Sequence, residues 1–370
     1  MAGQPVVLLG CGDVGPIHEP VESYSTLVRP VLTGGDIRFG QCERLYSERG
    51  ALQLHAGVSA AHGRLKPQMA SVFQDCGFDV VSMASNHAMD WSEDAMLDTI
   101  DVLRGLGIQV IGAGRNHDEA RRPAIIERGG IRVALLAYCS VLNEGYAAGP
   151  DRPGAAPLRV HTYYEAAEYQ PGVPPRIVTI PWERDVAAMV EDIAEARKSA
   201  HVVVISMHWG IHFIPRMIAG YQPVLAQAAF DAGADLILGH HAHVPKALAV
   251  YGRKACFYSL SNFIMTSKGS KPGAAVANAQ RLGVVNDDPD YARLPYGPDG
   301  KRSLIARAVL TEQGVARVSF LPVLIDRQLR PEVLKAGDPR FNEAVKFMEW
   351  VSEGFPHTFQ VEGDEVVVSG

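Results

Sequence analysis

Three histidines stand within four positions of the segment "DLILGHHAHVPKAL", as His240, His241 and His243. They follow an apolar run that is typical of a buried strand. Each imidazole there competes for solvation and for a polar partner, so grouped histidines favour transition-metal binding over a hydrogen-bonded loop. We therefore expect a metal site and look for its other ligands.

Residues that can bind metals or move protons also follow other apolar runs. Taken alone, each of them is an ordinary turn former, helix cap or core residue. Together they favour a site, because the carboxyl ends of strands in an open α/β sheet lie at the edge where ligands bind. These residues are Asp13, the pair Asn86 and His87, the run His208, Trp209 and Gly210, and the pair Ser261 and Asn262.

The apolar runs are rich in Val, Ile and Leu and do not alternate with polar residues, which predicts strands covered on both faces. Helical patterns lie between them at 92–106, 183–200 and 221–234. This alternation predicts a layered α/β sandwich with helices flanking central sheets. The predicted strands are 6–10, 78–85, 108–114, 132–139, 201–210, 235–240 and 255–262.

Two stretches rich in Gly and Pro, 143–180 and 266–301, interrupt this alternation. Connections of such length are more often lids or substrate walls than passive linkers, so we expect irregular insertions near the site. Residues 303–325 resemble two strands around a Gln-Gly turn that join the same body. We therefore expect one domain spanning 1–370.

The overall charge argues against several partners. Lys and Arg total 35 against 41 Asp and Glu, a formal charge of −6 without a dense basic run, so we expect neither nucleic acid nor a membrane surface as partner. The five scattered cysteines fit a reducing compartment. No signal-peptide pattern is visible. We expect a cytoplasmic protein acting on a small molecule or peptide, and the sequence leaves its oligomeric state open.

The order of the motifs resembles the CapA family, which is named for poly-γ-glutamate capsule proteins and has a calcineurin-like metallophosphatase fold. The resemblance runs from about residue 6 to 265 and rests on "GD", an acidic residue within "DIRFGQCE", "SNHAMD", "HWG", "GHHAHV" and "YSLSNF". It implies a dinuclear divalent-metal site bridged by Glu43. One ion would be held by Asp13 and His243, and the other by Asn86, His208 and His241.

The same resemblance implies that His87 donates a proton to the leaving group and that Asp90 orients it. A carboxylate suits a bridging role because it has two anionic oxygens. Mixed N and O ligands suit Mn, Fe, Co or Zn. We also expect the i, i+2 spacing of His241 and His243 to place both side chains on one side of an extended segment.

Several positions depart from the family pattern. Gly15 stands where metallophosphatases usually carry a histidine, which makes the Asp13/His243 site the weaker one unless His18 reaches it. Cys42 is either a soft extra ligand or, as we expect, a small buried filler. His212 stands where relatives commonly have Glu. The candidate substrate-binding residues are His212, Trp209, His240 and Asn262.

Three functions remain open. The first is a metal-dependent hydrolase that cleaves a phosphoester or an amide. The second is a peptide or amino-acid epimerase, in which Asp13 and a strand-end histidine form the acid/base pair for α-proton abstraction. The third is a degenerate ligand-binding protein, which only the missing first-motif histidine favours.

Overall fold

The computed structural model describes residues 4–53, 64–170, 172–267, 288–294 and 296–370. The helices are α1 Arg29–Leu32, α2 Ser71–Asp75, α3 Ser92–Gly105, α4 His117–Ala120, α5 Glu183–Ser199, α6 Tyr221–Ala232 and α7 Pro339–Ser352. The strands are β1 Val6–Gly15, β2 Ile37–Cys42, β3 Val80–Ser82, β4 Gln109–Ile111, β5 Ala113–Gly114, β6 Ala124–Arg128, β7 Ile131–Cys139, β8 Gly154–Ala155, β9 Val160–Glu165, β10 Arg176–Pro181, β11 Val202–His208, β12 Leu236–His240, β13 Leu248–Tyr251, β14 Lys254–Phe257, β15 Asn262–Met265, β16 Arg302–Thr311, β17 Gly314–Ile325, β18 Pro331–Val333, β19 Thr358–Glu362 and β20 Glu365–Ser369.

Two large sheets form the centre of the protein. The first has the order β19-β20-β17-β16-β1-β2-β3-β4, with β15 added beside β1 and β18 beside β17. Its members β1 to β4 and β15 are parallel. The second sheet has the order β13-β14-β12-β11-β7-β6 and a parallel centre. Parallel strands need covered faces, and each sheet is covered on both sides.

Three apolar clusters fill the layers. Leu8 and Phe39 of the first sheet pack with Val204 and Leu238 of the second, which makes the core between the sheets. A second cluster joins the outer face of the first sheet to α2 and α3, and a third joins the second sheet to α5 and α6. The layer order is therefore helix, sheet, sheet, helix, as the predicted layered α/β sandwich requires.

The predicted helices at 92–106, 183–200 and 221–234 are confirmed as α3, α5 and α6, and the strands around the Gln-Gly turn as β16 and β17. The predicted strand 255–262 is wrong. It divides into β14 of the second sheet and β15 of the first, and Ser261 between them has a left-handed φ of 70°. Apolar composition alone does not reveal such a crossing from one sheet to another.

The two insertions differ from the prediction in part. Stretch 143–180 is not wholly irregular, since β9 and β10 form an exposed two-stranded sheet within it. Most of 266–301 lies outside the described residues, although Tyr296 is described and buried. The last ten residues include β20, which pairs with β17 and buries Val366 and Val368. Among the described residues, none of the helices combines the length and apolar character needed to cross a bilayer.

Gly12 allows the closest approach between β1 and the crossing segment. The backbone N–H of Asp13 donates to the Ser261 carbonyl at 2.9 Å. A Cβ at position 12 would lie 2.0 Å from that same carbonyl oxygen, inside any permitted contact. The absence of a side chain at Gly12 is therefore what lets Ser261 fix the backbone of Asp13.

We expect Gly12→Ala to cost about 1–3 kcal/mol of unfolding free energy, because the strand must shift away from Ser261. Urea unfolding followed by circular dichroism measures this. Gly105→Ala is the matched control, since a Cβ there meets no atom within 4 Å and Ala is the better helix former. Equal stability of the two variants would show that the close approach is unimportant.

Candidate metal centre

The candidate site lies where strand ends from both sheets meet. Asp13 stands near the end of β1, and Glu43 follows β2 directly. Asn86 follows β3, while His208 and His240 are the last residues of β11 and β12. The sequence prediction placed these residues along one sheet edge. The structure instead brings ends of the first sheet against ends of the second.

One group of donors is linked through Asn86. The Oδ1 atom of Asn86 lies 2.8 Å from Nε2 of His208 and 3.3 Å from Nδ1 of His241. The Nδ1 atom of His208 lies 3.7 Å from Oε2 of Glu43. The hydroxyl of Ser85 donates to that same carboxylate oxygen at 3.1 Å. These side chains form one continuous cluster of oxygen and nitrogen donors.

A second group surrounds Asp13. Its Oδ1 lies 3.4 Å from Nδ1 of His240, and its Oδ2 lies 3.4 Å from Nδ1 of His243. Asp13 also joins the first group, because ligand atoms of Asp13, Glu43 and His208 all lie within 4.8 Å of one another. The structure therefore brings together all six residues that the resemblance implied as metal ligands.

Several buried polar atoms in this cluster have no hydrogen-bond partner among the described residues: both carboxylate oxygens of Asp13, Oε1 of Glu43, Nδ1 of His208 and both ring nitrogens of His240. Buried polar atoms without partners are rare and costly, and a metal ion is one of the few things that satisfies carboxylates and imidazoles together. The donor set thus fits a divalent transition metal.

Burial sets the protonation of these groups. It lowers the pKa of His208 and His241 well below the ordinary value, and lowers that of His243 to about 3. Neighbouring histidines lower all three further. These imidazoles are therefore neutral at physiological pH, which is the form that binds metals. The pKa of Glu43 is raised, first by burial and then by the charge of Asp13.

The loop after β12 is not extended, so the geometric reason given for the spacing of His241 and His243 is wrong. Both residues have left-handed backbone angles, with φ of 86° and 56°. Such angles cost energy for residues with a Cβ and cluster at functional sites. Two turns of this kind, instead of an extended chain, bring both rings to the cluster.

His87 lies at the edge of the cluster, paired with Asp90. Its Nδ1 is 2.7 Å from Oδ2 of Asp90, and its Nε2 is 4.0 Å from Oε1 of Glu43. The Tyr146 hydroxyl donates to the other oxygen of Asp90 at 3.2 Å. Asp90 is buried, whereas His87 keeps about 15% of its side chain exposed. The pair is arranged as an oriented imidazole facing both the cluster and solvent.

His212 and Tyr296 cover the histidines. The His212 ring lies 3.8 Å from that of His241 and 5.6 Å from that of His243, measured between centroids. Tyr296 stacks on His243 at 4.2 Å. His212 is partly exposed, so it is placed where it could meet a substrate.

The structure does not support substrate contact by the three other candidates. Trp209 is buried and donates its indole N–H to the Tyr258 carbonyl within the third apolar cluster. The amide of Asn262 is engaged by His243 and the Gly300 carbonyl. His240 is fully buried beside Asp13. The first is a packing residue, and the other two lie behind the cluster.

The contacts of His18 and Cys42 bear on whether either residue could be an extra metal ligand. His18 does not reach the cluster with its ring, since Nε2 lies 2.9 Å from the Ser267 carbonyl oxygen. Cys42 is buried, and its thiol lies 3.2 Å from the Arg44 carbonyl oxygen. Burial raises the pKa of that thiol far above neutrality, which fits a filler and not a thiolate ligand.

Sequence reasoning missed Arg44, Tyr146 and Tyr296. Arg44 adjoins Glu43 in the chain and is only 4% exposed, a burial that its residue type does not suggest. Tyr146 and Tyr296 belong to the two insertions, where no motif marks them. Their roles depend on contacts with residues more than 50 positions away.

The buried cluster of carboxylates and histidines at the edge of an α/β sandwich makes this chain a candidate metal-binding protein. The chain belongs to the family described as bacterial capsule synthesis protein PGA_cap, whose model matches residues 13–267.

Two curated relatives show the extent of the similarity. The PGA biosynthesis protein CapA of Bacillus subtilis (strain 168) is 30% identical over 204 residues, covering 55% of this chain and 47% of the relative. The capsule biosynthesis protein CapA of Bacillus anthracis is 28% identical over 257 residues, covering 67% of this chain and 56% of the relative. The chain thus spans about half the length of these relatives.

Among solved structures, the chain is similar to the calcineurin-like phosphoesterase YfkN from Bacillus subtilis, with 13% identity and a TM-score of 0.44 over 94% of this chain and 100% of that one. It is also similar to a hypothetical protein from Thermus thermophilus, with 15% identity and a TM-score of 0.46 over 85% and 98% of the two chains.

We expect Glu43→Gln to raise the melting temperature of the metal-free protein at pH 7, by about 2–4 °C. The pKa of Glu43 is raised in the folded state, so its contribution to stability is present at low pH and lost as pH rises through that raised pKa. Glutamine removes the buried charge. Near pH 4, below the ordinary glutamate pKa of about 4.3, both proteins should melt alike.

Calorimetry with a chelator measures this difference, and Glu343→Gln on the exposed face of α7 serves as control. Added Mn²⁺ should then stabilise the wild type more than Glu43→Gln, because the variant lacks an anionic ligand. A lower melting temperature of Glu43→Gln at pH 7 without metal would contradict the prediction.

Proposed function

We propose that the protein is a metal-dependent hydrolase that cleaves a phosphoester or an amide of a small molecule or peptide. The observation that carries the proposal is the set of unpartnered buried donors on Asp13, Glu43 and His208. A fold that keeps such atoms without protein partners loses stability unless they bind something. The resemblance to a family named for poly-γ-glutamate capsule proteins, together with relatives named for capsule and PGA biosynthesis, supports an acidic peptide as one substrate class.

Asp13, Glu43, Asn86, His208, His241 and His243 would hold the metal, with either one or two ions. A divalent ion bound there supplies Lewis-acid polarisation of the scissile group and lowers the pKa of water. The neutral imidazoles supply nitrogen donors, and the two carboxylates supply oxygen donors. No proton has to leave the histidines before a metal binds.

His87 would donate the proton to the leaving group. Asp90 holds its Nδ1, so the ring turns Nε2 towards the cluster. Tyr146 binds the second oxygen of Asp90, which fixes the carboxylate in turn. These hydrogen bonds hold the acid in a fixed orientation. Proton transfer in a transition state requires an acid positioned in this way. His212, partly exposed above His241, would contact the substrate.

We expect His87→Asn to lower kcat by about 10²–10⁴-fold for substrates whose leaving group needs a proton. The loss should be much smaller for nitrophenyl phosphodiesters, because nitrophenolate leaves without one. Rates with bis-p-nitrophenyl phosphate, methyl p-nitrophenyl phosphate and a γ-linked glutamyl oligomer, each with Mn²⁺, measure this. His357→Gln is the control, since that ring lies away from the cluster, beside the Phe355 carbonyl, Glu349 of α7 and the Phe359 ring.

Metal analysis decides the proposal itself. Protein purified without chelator should contain a transition metal, and His241→Ala should lose both metal and activity. Negligible content of every transition metal, with His241→Ala fully active, would refute the hydrolase. Solvent deuterium entering an α-carbon of the glutamyl oligomer without bond cleavage would instead favour epimerisation.

A further inference from the structure

Arg44 is a buried cation that the proposed chemistry leaves without a role. It directly follows Glu43 and is 4% exposed. One guanidinium nitrogen, Nη2, donates to the Thr266 carbonyl at 2.9 Å. The other two, Nε and Nη1, have no hydrogen-bond partner among the described residues. An arginine is always charged in proteins, so this positive charge must be balanced by something nearby.

The Arg44 side chain packs against Gly15 at the end of β1, and Gly15 lies two residues after Asp13. A Cβ at Gly15 would lie 2.8 Å from Cγ of Arg44 and 3.0 Å from its Nε, so the missing side chain of Gly15 makes the space that Arg44 fills. Without a bulkier residue at position 15, the guanidinium can lie beside the strand that carries Asp13.

The charge of the guanidinium acts on Glu43 and on Tyr296 of the same cluster. Arg44 lowers the pKa of Glu43, against the larger raising effects of burial and of Asp13. Burial raises the pKa of Tyr296, and the charge of Arg44 opposes that rise while Glu43 and Asp13 add to it. Arg44, Glu43 and Asp13 thus all affect the Tyr296 hydroxyl, while the Tyr296 ring stacks on His243 at 4.2 Å.

The buried charges limit how many metal ions this space can hold. Asp13 and Glu43 supply two negative charges, and their side chains are at most 1% exposed. Arg44 already balances part of this charge. One divalent ion changes the sum of these charges from −1 to +1, whereas a second would raise it to +3 in a poorly solvated space.

We propose that Arg44 is a resident cation of the candidate metal centre, and that it restricts the centre to one tightly bound divalent ion at Asp13, Glu43 and His208. The ligand atoms of these three residues lie within 4.8 Å of one another, a common point for one ion. The inference rests on the proposed function only for the presence of a metal. It changes the expected occupancy from two ions to one, and Arg44 supplies the second positive group.

The test compares the wild type with Arg44→Met, which keeps an unbranched side chain against Gly15 but removes the charge. Arg44→Lys is the matched control that keeps a charge. Titration calorimetry with Mn²⁺ and elemental analysis after dialysis give stoichiometry. Electron paramagnetic resonance distinguishes an isolated Mn²⁺ ion from an exchange-coupled pair.

We expect one tight Mn²⁺ in the wild type and in Arg44→Lys, with any second ion weaker by about 100-fold or more. In Arg44→Met the second ion should approach the affinity of the first to within about tenfold and give a coupled spectrum. If Arg44→Met does not fold, Arg44→Gln, which can still donate to Thr266, replaces it.

Two tight ions in the wild type would overturn the inference and leave the hydrolase proposal intact. A single ion in both the wild type and the neutral variants would also overturn it, since Arg44 would then not control occupancy. A wild type that binds no metal would overturn both, which separates the two failures.

Discussion

The structure depends on the burial of two carboxylates, Asp13 and Glu43, side by side between two sheets. Their mutual repulsion and loss of hydration are unfavourable to folding, as the raised pKa of Glu43 shows. Neutral histidines cannot relieve this repulsion. Cations can, and Arg44, which follows Glu43 directly, is a buried cation whose charge lowers the pKa of Glu43. The remaining imbalance is the physical reason to expect a metal ion.

The rest of the fold makes that burial possible. Large apolar clusters between and outside the sheets supply the favourable free energy that an unfavourable site requires. Local devices then set the geometry. Gly12 permits the approach of Ser261, and left-handed angles at His241 and His243 turn their rings inward. Each device costs stability locally and is retained because the surrounding core fixes it.

The insertions connect the cluster to its surroundings. Stretch 143–180 contributes Tyr146 to the His87–Asp90 pair, and the end of 266–301 contributes Tyr296 to His243. Tyr146 therefore contacts the proton-donating pair and Tyr296 the metal-binding group, while a 3.2 Å contact between Nδ2 of Asn86 and Nε2 of His87 joins the two groups.

The sequence by itself determined the chemical types of the donors, the strands that precede most of them, the family, and the layered α/β class. These follow from local patterns: ligand-type residues after apolar runs, and helical periodicity between them. The sequence did not determine that the donors come from two sheets, because an apolar segment that forms a strand does not indicate which sheet the strand joins. The divided segment 255–262 shows this most directly.

Only the tertiary structure decided which polar residues are buried and which stay exposed. It placed His240 and Asn262 behind the cluster, removed Trp209 to a packing role, and added Arg44 beside the acids. Such assignments depend on contacts between residues far apart in the chain, such as Arg44 with Thr266. Residue type and spacing constrain those contacts weakly, since the same arginine would be an ordinary exposed residue in a different packing.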